Sequence, residues 1–380
     1  MPHPTTLMKL TTRCGTAAID GLNEALLAKA VEAKVLRTSR LRADTTVIPA
    51  NVAYPTDSGL LARAVKRIAV TGQRTTPPAA PSGPRCGTGP ARPGNRPTGS
   101  PRSWAMRSAQ LRDEAQATVR RITGELADLA TKAADDAEKL LVNAPRSLRT
   151  ATAKANILKA AGVLDVAAGR RRGRLHRAVN DLTELLAATR QIAAQTRLRV
   201  AGQVPDGATR RFSLHESDAR PIAKGRLGKP VEFDYKAQNT DTDDGVVVDH
   251  TVEQWNPPDA PQLAPAVKRV IARTGRKPRT VTADRGYGEQ RVEDDLGDLG
   301  VRHVVIPRKG KPGNARQTVE RRSAFRRTVK WRTGCEARIS ALKRGYGLDR
   351  SRIDGTEGAK IWVGHGILAH NLVKIAALTA

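Results

Sequence analysis

The stretch Arg279-Thr-Val-Thr-Ala-Asp-Arg-Gly-Tyr287 decides how the rest of the chain is read. Arg279–Ala283 reads as a short strand, and the turn-forming residues after it stop the extended run. Asp284 then stands at the carboxyl end of that strand, where ligands gather in open α/β sheets. On the carboxyl side, Gln290–Leu299 reads as a helix, Arg302–Ile306 as another strand, Ser323–Lys343 as a long helix and Ile361–Leu378 as a last amphipathic helix. On the amino side, Pro261–Thr274 sets Leu263, Val267, Val270 and Ile271 on one helical face. Before it come two strands, Pro230–Thr240 and Gly245–Gln254, separated by the turn-rich Asp241-Thr-Asp-Asp-Gly245.

Further out, Leu41–Ile48 is rich in β-branched residues and closed by Pro49, so it reads as a strand. Ile19, Leu22, Leu26, Leu27 and Ala30 give residues 1–37 a helical pattern, and Leu60, Leu61, Val65 and Ile68 do the same for 58–70. Thr71–Arg107 holds eight prolines, six glycines and six arginines with no acidic residue. Such a stretch buries too little apolar surface to offset its ordering entropy and is expected to be disordered. Two runs of apolar residues in steps of three and four, Leu111–Leu140 and Leu175–Val200, predict long helices paired as an antiparallel hairpin. The arginine-rich Gly169–Arg174 between them reads as part of the hairpin turn, touching phosphate or nothing. Without the insertion, the order β, β, β, α, β, α, β, α is that of an RNase H-like fold. The expectation is an α/β fold, a mixed sheet flanked by helices and interrupted after its first strand by a long helical insertion. Its parts are 1–57 (a helix and the first strand), 58–107 (a helix and the linker), 108–205 (the hairpin) and 206–380 (the remaining core).

Composition narrows the function. Of 380 residues, 66 are Lys or Arg and 37 are Asp or Glu, a formal net charge of +29. That excess points to a polyanionic partner. Apolar runs such as Ile367–Ala369 fall short of the ~20 residues of a bilayer span, so no membrane partner is expected and nucleic acid leads. No secretion signal follows Met1. Cys14, Cys86 and Cys335 form no C-x-x-C pair, which excludes a disulfide framework and a cysteine-rich zinc module.

Carboxylates on separate elements are the candidates for chemistry, because Mg²⁺ prefers hard oxygen ligands. Asp44 lies within the first strand, Asp284 ends the Arg279–Ala283 strand, and Glu336 sits in a helix region where fifteen Lys/Arg face three acids between Arg308 and Arg352. Arg332, Glu336 and Lys343, at steps of four and seven, share one helical face that could hold a metal and phosphates; read alone, they are first of all an ordinary ion pair on a solvated helix. Asp241, Asp243, Asp244 and Asp249 are the rival first carboxylates, the first three placed in a turn. Asp57 reads as a helix N-cap or a site-lining residue, Tyr287 as a buried aromatic or a stacking platform, Trp331 and Trp362 as core, and His365 and His370 as polar positions on the last helix.

Taken together, Leu41-Arg-Ala-Asp-Thr-Thr-Val-Ile-Pro-Ala-Asn51, Tyr54-Pro-Thr-Asp-Ser-Gly59, Thr282-Ala-Asp-Arg-Gly-Tyr287 and Trp331-Arg-Thr-Gly-Cys-Glu-Ala-Arg-Ile-Ser340 resemble bacterial insertion-sequence transposases of the DDE type, nearest their actinobacterial group. Arg332, Glu336 and Lys343 match the R, E and K of that family's Y-R-E-K signature, while Val329 stands at its Tyr position. The resemblance implies that Asp44, Asp284 and Glu336 are catalytic and hold Mg²⁺ or Mn²⁺, and that Arg332, Lys343, Arg338 and Arg344 contact DNA. It implies cleavage at element ends and strand transfer to target DNA by in-line displacement, a homodimer that pairs two ends, and a cytoplasmic, nucleoid-associated protein. Relatives carry a helical domain before the stretch matching Met1–Thr6, so the chain reads as an amino-terminally truncated copy, and 72–107 suits a locally shifted reading frame. Hence two other readings stand beside the enzyme: a silent DNA-binding remnant, and a metal-dependent nuclease without strand transfer.

Overall fold

The computed structural model describes residues 4–52, 56–75, 101–161, 166–226 and 229–379. The chain divides into two compact units, Met1–Tyr54 with Glu216–Ala380, and Pro55–His215.

The first unit is built on a six-stranded sheet. Its strands are β1 (Arg40–Pro49), β2 (Arg220–Arg226), β3 (Lys229–Thr242), β4 (Val247–Glu253), β5 (Thr280–Ala283) and β6 (His303–Val305). β1 is antiparallel to β3 and parallel to β5, and β5 is parallel to β6. β4 and β2 both pair antiparallel with β3, against successive halves of it. The order β4-β3-β1-β5-β6 puts the first strand in the middle, with the two later parallel strands on one side. This is the expected RNase H-like arrangement with a helical insertion after its first strand. β2 was not foreseen, and β3 runs two residues further than the spacing predicted. Asp241 is therefore a strand residue opposite Arg42, not a turn residue.

The helices of this unit are α1 (Pro4–Glu32), α5 (Ala260–Thr274), α6 (Gln290–Asp298), α7 (Asn314–Arg321), α8 (Ser323–Gly345) and α9 (Gly355–Thr379). Strand alternation sorts the core. Leu41 and Ala43 of β1 pack with Leu263, Val267 and Val270 of α5 and with Leu27 and Ala30 of α1. Ile48, Tyr235 and Ala237 pack with Leu342 of α8 and with Val363 and Ile367 of α9. By length and composition α9 would span a bilayer, which the short apolar runs had not suggested. One face of it is packed into the unit, with Ile361, Val363, Ile367, His370 and Asn371 buried, while Leu372 and Val373 are exposed. The Asn371 side chain bonds both backbone groups of Val247, accepting at 2.9 Å and donating at 2.8 Å. His370 is a buried polar position, its Nε2 meeting the Gly245 carbonyl at 3.0 Å.

The second unit is helical: α2 (Asp57–Thr75), α3 (Pro101–Ala160) and α4 (Val166–Val200). Ala127, Ala130 and Ala134 of α3 are fully buried against a seam containing Leu182, Leu186, Ala188 and Ile192 of α4, with Leu61 and Ala64 of α2. Small side chains at these positions let helix axes approach closely. The expected linker is narrower than its composition implied: residues 71–75 end α2 and 101–107 open α3, while 76–100 lie outside the described residues. Gly169–Arg174 is no turn, since α4 has begun by Val166. Asp57 is the first residue of α2, but Thr56 does the capping, its Oγ1 accepting from the Gly59 N–H at 3.2 Å. The Asp57 carboxylate instead accepts from Arg199 at 2.7 Å.

Candidate active site

The site forms where the parallel pairing of β1 with β5 ends. β1 and β5 pair with Ala43 opposite Ala283, so Asp44, still within β1, and Asp284, the first residue past β5, stand at the same level. Asp44 is buried and accepts from the Thr45 N–H at 2.9 Å. Asp284 ends its strand by capping the 3₁₀ turn Arg285–Tyr287, accepting from the Gly286 N–H at 2.8 Å. A side chain at Gly286 would run into the Asp284 carboxylate at 3.0 Å and that of Asp259 at 3.1 Å, so glycine lets the two acids approach one backbone segment. Tyr287 is fully buried and donates to Gln238 Oε1 at 3.2 Å, which makes it a structural aromatic.

α8 supplies the third carboxylate. Arg332 donates through Nη1 to Asp44 Oδ2 at 3.0 Å and through Nη2 to Glu336 Oε1 at 2.8 Å. Lys343, two turns on, donates to the Val47 carbonyl of β1 at 2.8 Å. The R, E and K positions thus lie along the strand that carries Asp44. Arg338 points to Asp241 at 3.5 Å, whereas Arg344 is exposed and forms no ion pair among the described residues.

A second, fully internal set of charges fixes α8 in place. Arg42, two residues before Asp44 and so on the same face of β1, donates to both Asp241 oxygens at 2.7 and 2.9 Å and to the Trp331 carbonyl at 3.1 Å. Its guanidinium also lies 4.8 Å from the Trp331 ring centroid, and that of Arg40 lies 4.1 Å from it. Breaking a buried pair of this kind costs about 3–5 kcal/mol, because the remaining charge is stranded. A Cβ on Gly334 would fall 2.2 Å from Arg42 Nη1, so glycine is what admits the guanidinium beneath the helix. Cys335, the buried thiol of this layer, is pushed up by burial and by Asp241 and Asp44.

The electrostatics favour a cation. Burial pushes the Asp44 carboxyl up to about 6; Arg332 opposes this, and Asp284 and Glu336 add to it. Asp44 thus sits in a low-dielectric corner, with Asp284 half-buried and Glu336 exposed at its rim, and the Arg332 guanidinium is its near counter-charge. Beside them, Asn239 pairs with Asp44 across β1 and β3 and is wholly buried, yet neither its Oδ1 nor its Nδ2 has a partner among the described residues. A buried amide without partners is costly. Hard carboxylate oxygens with an unspent amide next to them suit a hydrated Mg²⁺ or Mn²⁺. In the arrangement described Arg332 holds Asp44 and Glu336, and among the described residues no three His, Cys, Asp or Glu side chains form a ready metal cluster.

Sequence reasoning missed Asn239, Asp259 and the Arg42–Asp241 pair. Asp241 carried a signal, an acid directly after an expected strand, but Asn239 carried none until its strand register was known.

Residues 211–372 match the family model for the transposase DDE domain. Asp284 and Glu336 fall inside that stretch and Asp44 precedes it. No curated protein matches the chain, and no solved structure does.

Proposed function

With residues 211–372 being a transposase DDE domain, whose substrate is DNA, we propose that this chain cuts phosphodiester bonds at the ends of a mobile element and joins the freed 3′ ends to target DNA. The observation that carries the reading is the β1–β5 register, which sets Asp44 and Asp284 side by side, together with the Arg332 link that brings in Glu336. Asp44, Asp284 and Glu336 would hold Mg²⁺ or Mn²⁺. Bound there, the metal supplies an activated water or 3′-hydroxyl and a counter-charge for the leaving oxygen. The Asn239 amide, on the neighbouring strand and unpartnered among the described residues, would turn its oxygen to the hydrated ion. Arg332 exchanges its carboxylates for a phosphate, and Lys343 and Arg344 hold the strand along α8. Arg338 keeps α8 seated through Asp241. Positioning and charge carry this chemistry, and no covalent intermediate on the protein is needed. The setting is the cytoplasm at the nucleoid, and a homodimer would hold two ends.

Asp284→Ala and Glu336→Ala test the assignment in an assay of element-end DNA with Mn²⁺ and a 3′-hydroxyl donor. Each variant should lose cleavage and joining by at least 10³-fold, as expected when a charge-stabilising group is removed. Unimpaired activity in either removes that residue from the site. Cutting without joining in the unaltered protein would make it a plain nuclease.

A further inference from the structure

Charge on the helical unit is sharply partitioned. In the stem of the hairpin, residues 113–140 and 178–200, seven Lys/Arg are set against nine acids. Those charges pair across the helices, Arg190 with Asp135 and Glu138 at 2.9 and 2.5 Å, and Arg197 with Asp128 at 2.9 Å. Over 141–177 the balance is nine Lys/Arg against one acid, Asp165. Arg146, Arg149, Arg170, Arg171, Arg172, Arg174 and Arg177 are exposed, and none has an ion-pair partner among the described residues. The antiparallel pairing seen in the stem continues to this end, where Leu148 and Thr152 of α3 face Arg172, His176 and Arg177 of α4 across a groove of about 440 Å³.

The first turns of α4 are thus a poor place for this charge on stability grounds. Repulsion within the run Arg170–Arg174 is unrelieved, and cations near a helix amino terminus oppose its dipole. A polyanion removes both penalties. Arg170, Arg174 and Arg177, at steps of four and three, form one cationic row roughly 10 Å long by helix rise, and α3 adds Arg146 and Arg149 beside the groove. Phosphates of duplex DNA lie on a scale that such a row matches, and arginine is the side chain suited to them.

We propose that the distal end of the α3–α4 hairpin is a DNA-backbone surface, binding duplex phosphates without reading sequence. The choice of DNA over other polyanions rests on the function proposed above, but the surface does not depend on the carboxylate site. Neutralising it would leave the chemistry intact and weaken the hold on DNA.

The test uses the full chain with the substitutions R149Q, R172Q, R174Q and R177Q together, and Asp284→Ala as the companion variant. Binding to a 30-bp duplex of arbitrary sequence is followed by fluorescence anisotropy between 50 and 300 mM salt. The fourfold variant should bind at least tenfold more weakly at 100 mM, and its log–log salt slope should be shallower by roughly 3, at about 0.9 per lost phosphate contact. Its circular dichroism should be unchanged, since all four positions are exposed. Asp284→Ala should keep full DNA affinity, so loss of cleavage there and loss of binding here separate the two claims. An unchanged slope overturns the proposal. So does a variant that keeps DNA affinity but no longer binds phosphatidylserine vesicles, which would make the partner a membrane surface.

Discussion

At the scale of single residues, Arg332 is the side chain on which the site turns. Its guanidinium holds Asp44 and Glu336, which are the oxygens a divalent ion would need. Arg332→Gln should therefore have two opposite effects. Without metal the variant should melt several degrees lower, because the acids are left to repel one another. With millimolar Mn²⁺ it should regain more than the unaltered protein does, since no cation competes; differential scanning fluorimetry reads both. An equal Mn²⁺ shift in the two proteins would contradict this. His250 gives a separate acid signature. Burial holds it at about 4, helped by Arg273 and Arg269, with Asp20, Glu24 and Asp249 lining the same cavity of about 250 Å³. The unfolded chain takes up that proton near pH 6.5, the folded one only near 4. Stability is thus fully present above about 6.5 and is lost as pH falls towards 4, by on the order of 2–3 kcal/mol. His250→Gln should flatten chemical-denaturation midpoints across that window. The places of Asp284 and Glu336 in the fold, a strand end and a basic helix, were legible in the sequence because each stands in a local pattern. Asn239 and the Arg42–Asp241 pair were not, since partners 199 residues apart share no local pattern, and burial alone reveals an amide without hydrogen bonds.

At the scale of elements, α8 is fastened to β1 by contacts that leave no room for adjustment. Gly334→Ala should displace Arg42 from Asp241 and cost about 2–4 kcal/mol in urea unfolding. Combined with Asp241→Asn the loss should be less than additive, because both changes break one interaction; strict additivity would separate Gly334 from the pair. Most helices and strands could be read in advance because their apolar spacing is strong. β2 and α7 escaped notice for opposite reasons. β2 has little apolar alternation and exists by pairing with β3, while α7 has no buried residue at all. Gly169–Arg174 looked like a turn because glycines flanked arginines, yet α4 already includes it.

At the scale of the whole molecule, a first strand whose sheet neighbours β3 and β5 begin only at Lys229 and Thr280 still takes the central place in the sheet. Element order made that architecture legible, since β1 had no other partner of its length. The two units keep separate cores, one of aliphatic side chains packed on the sheet and the other of alanine-lined helices. The central claim is that Asp44, Asp284 and Glu336 act as one metal-binding set. Calorimetric titration of the full chain with Mn²⁺ at pH 7.5 tests it most directly, beside Asp44→Asn, Asp284→Asn and Glu336→Gln. Saturable binding in the unaltered protein that falls at least tenfold in each of the three variants is the predicted result. Binding that survives any one substitution unchanged, or is absent from the start, would contradict it.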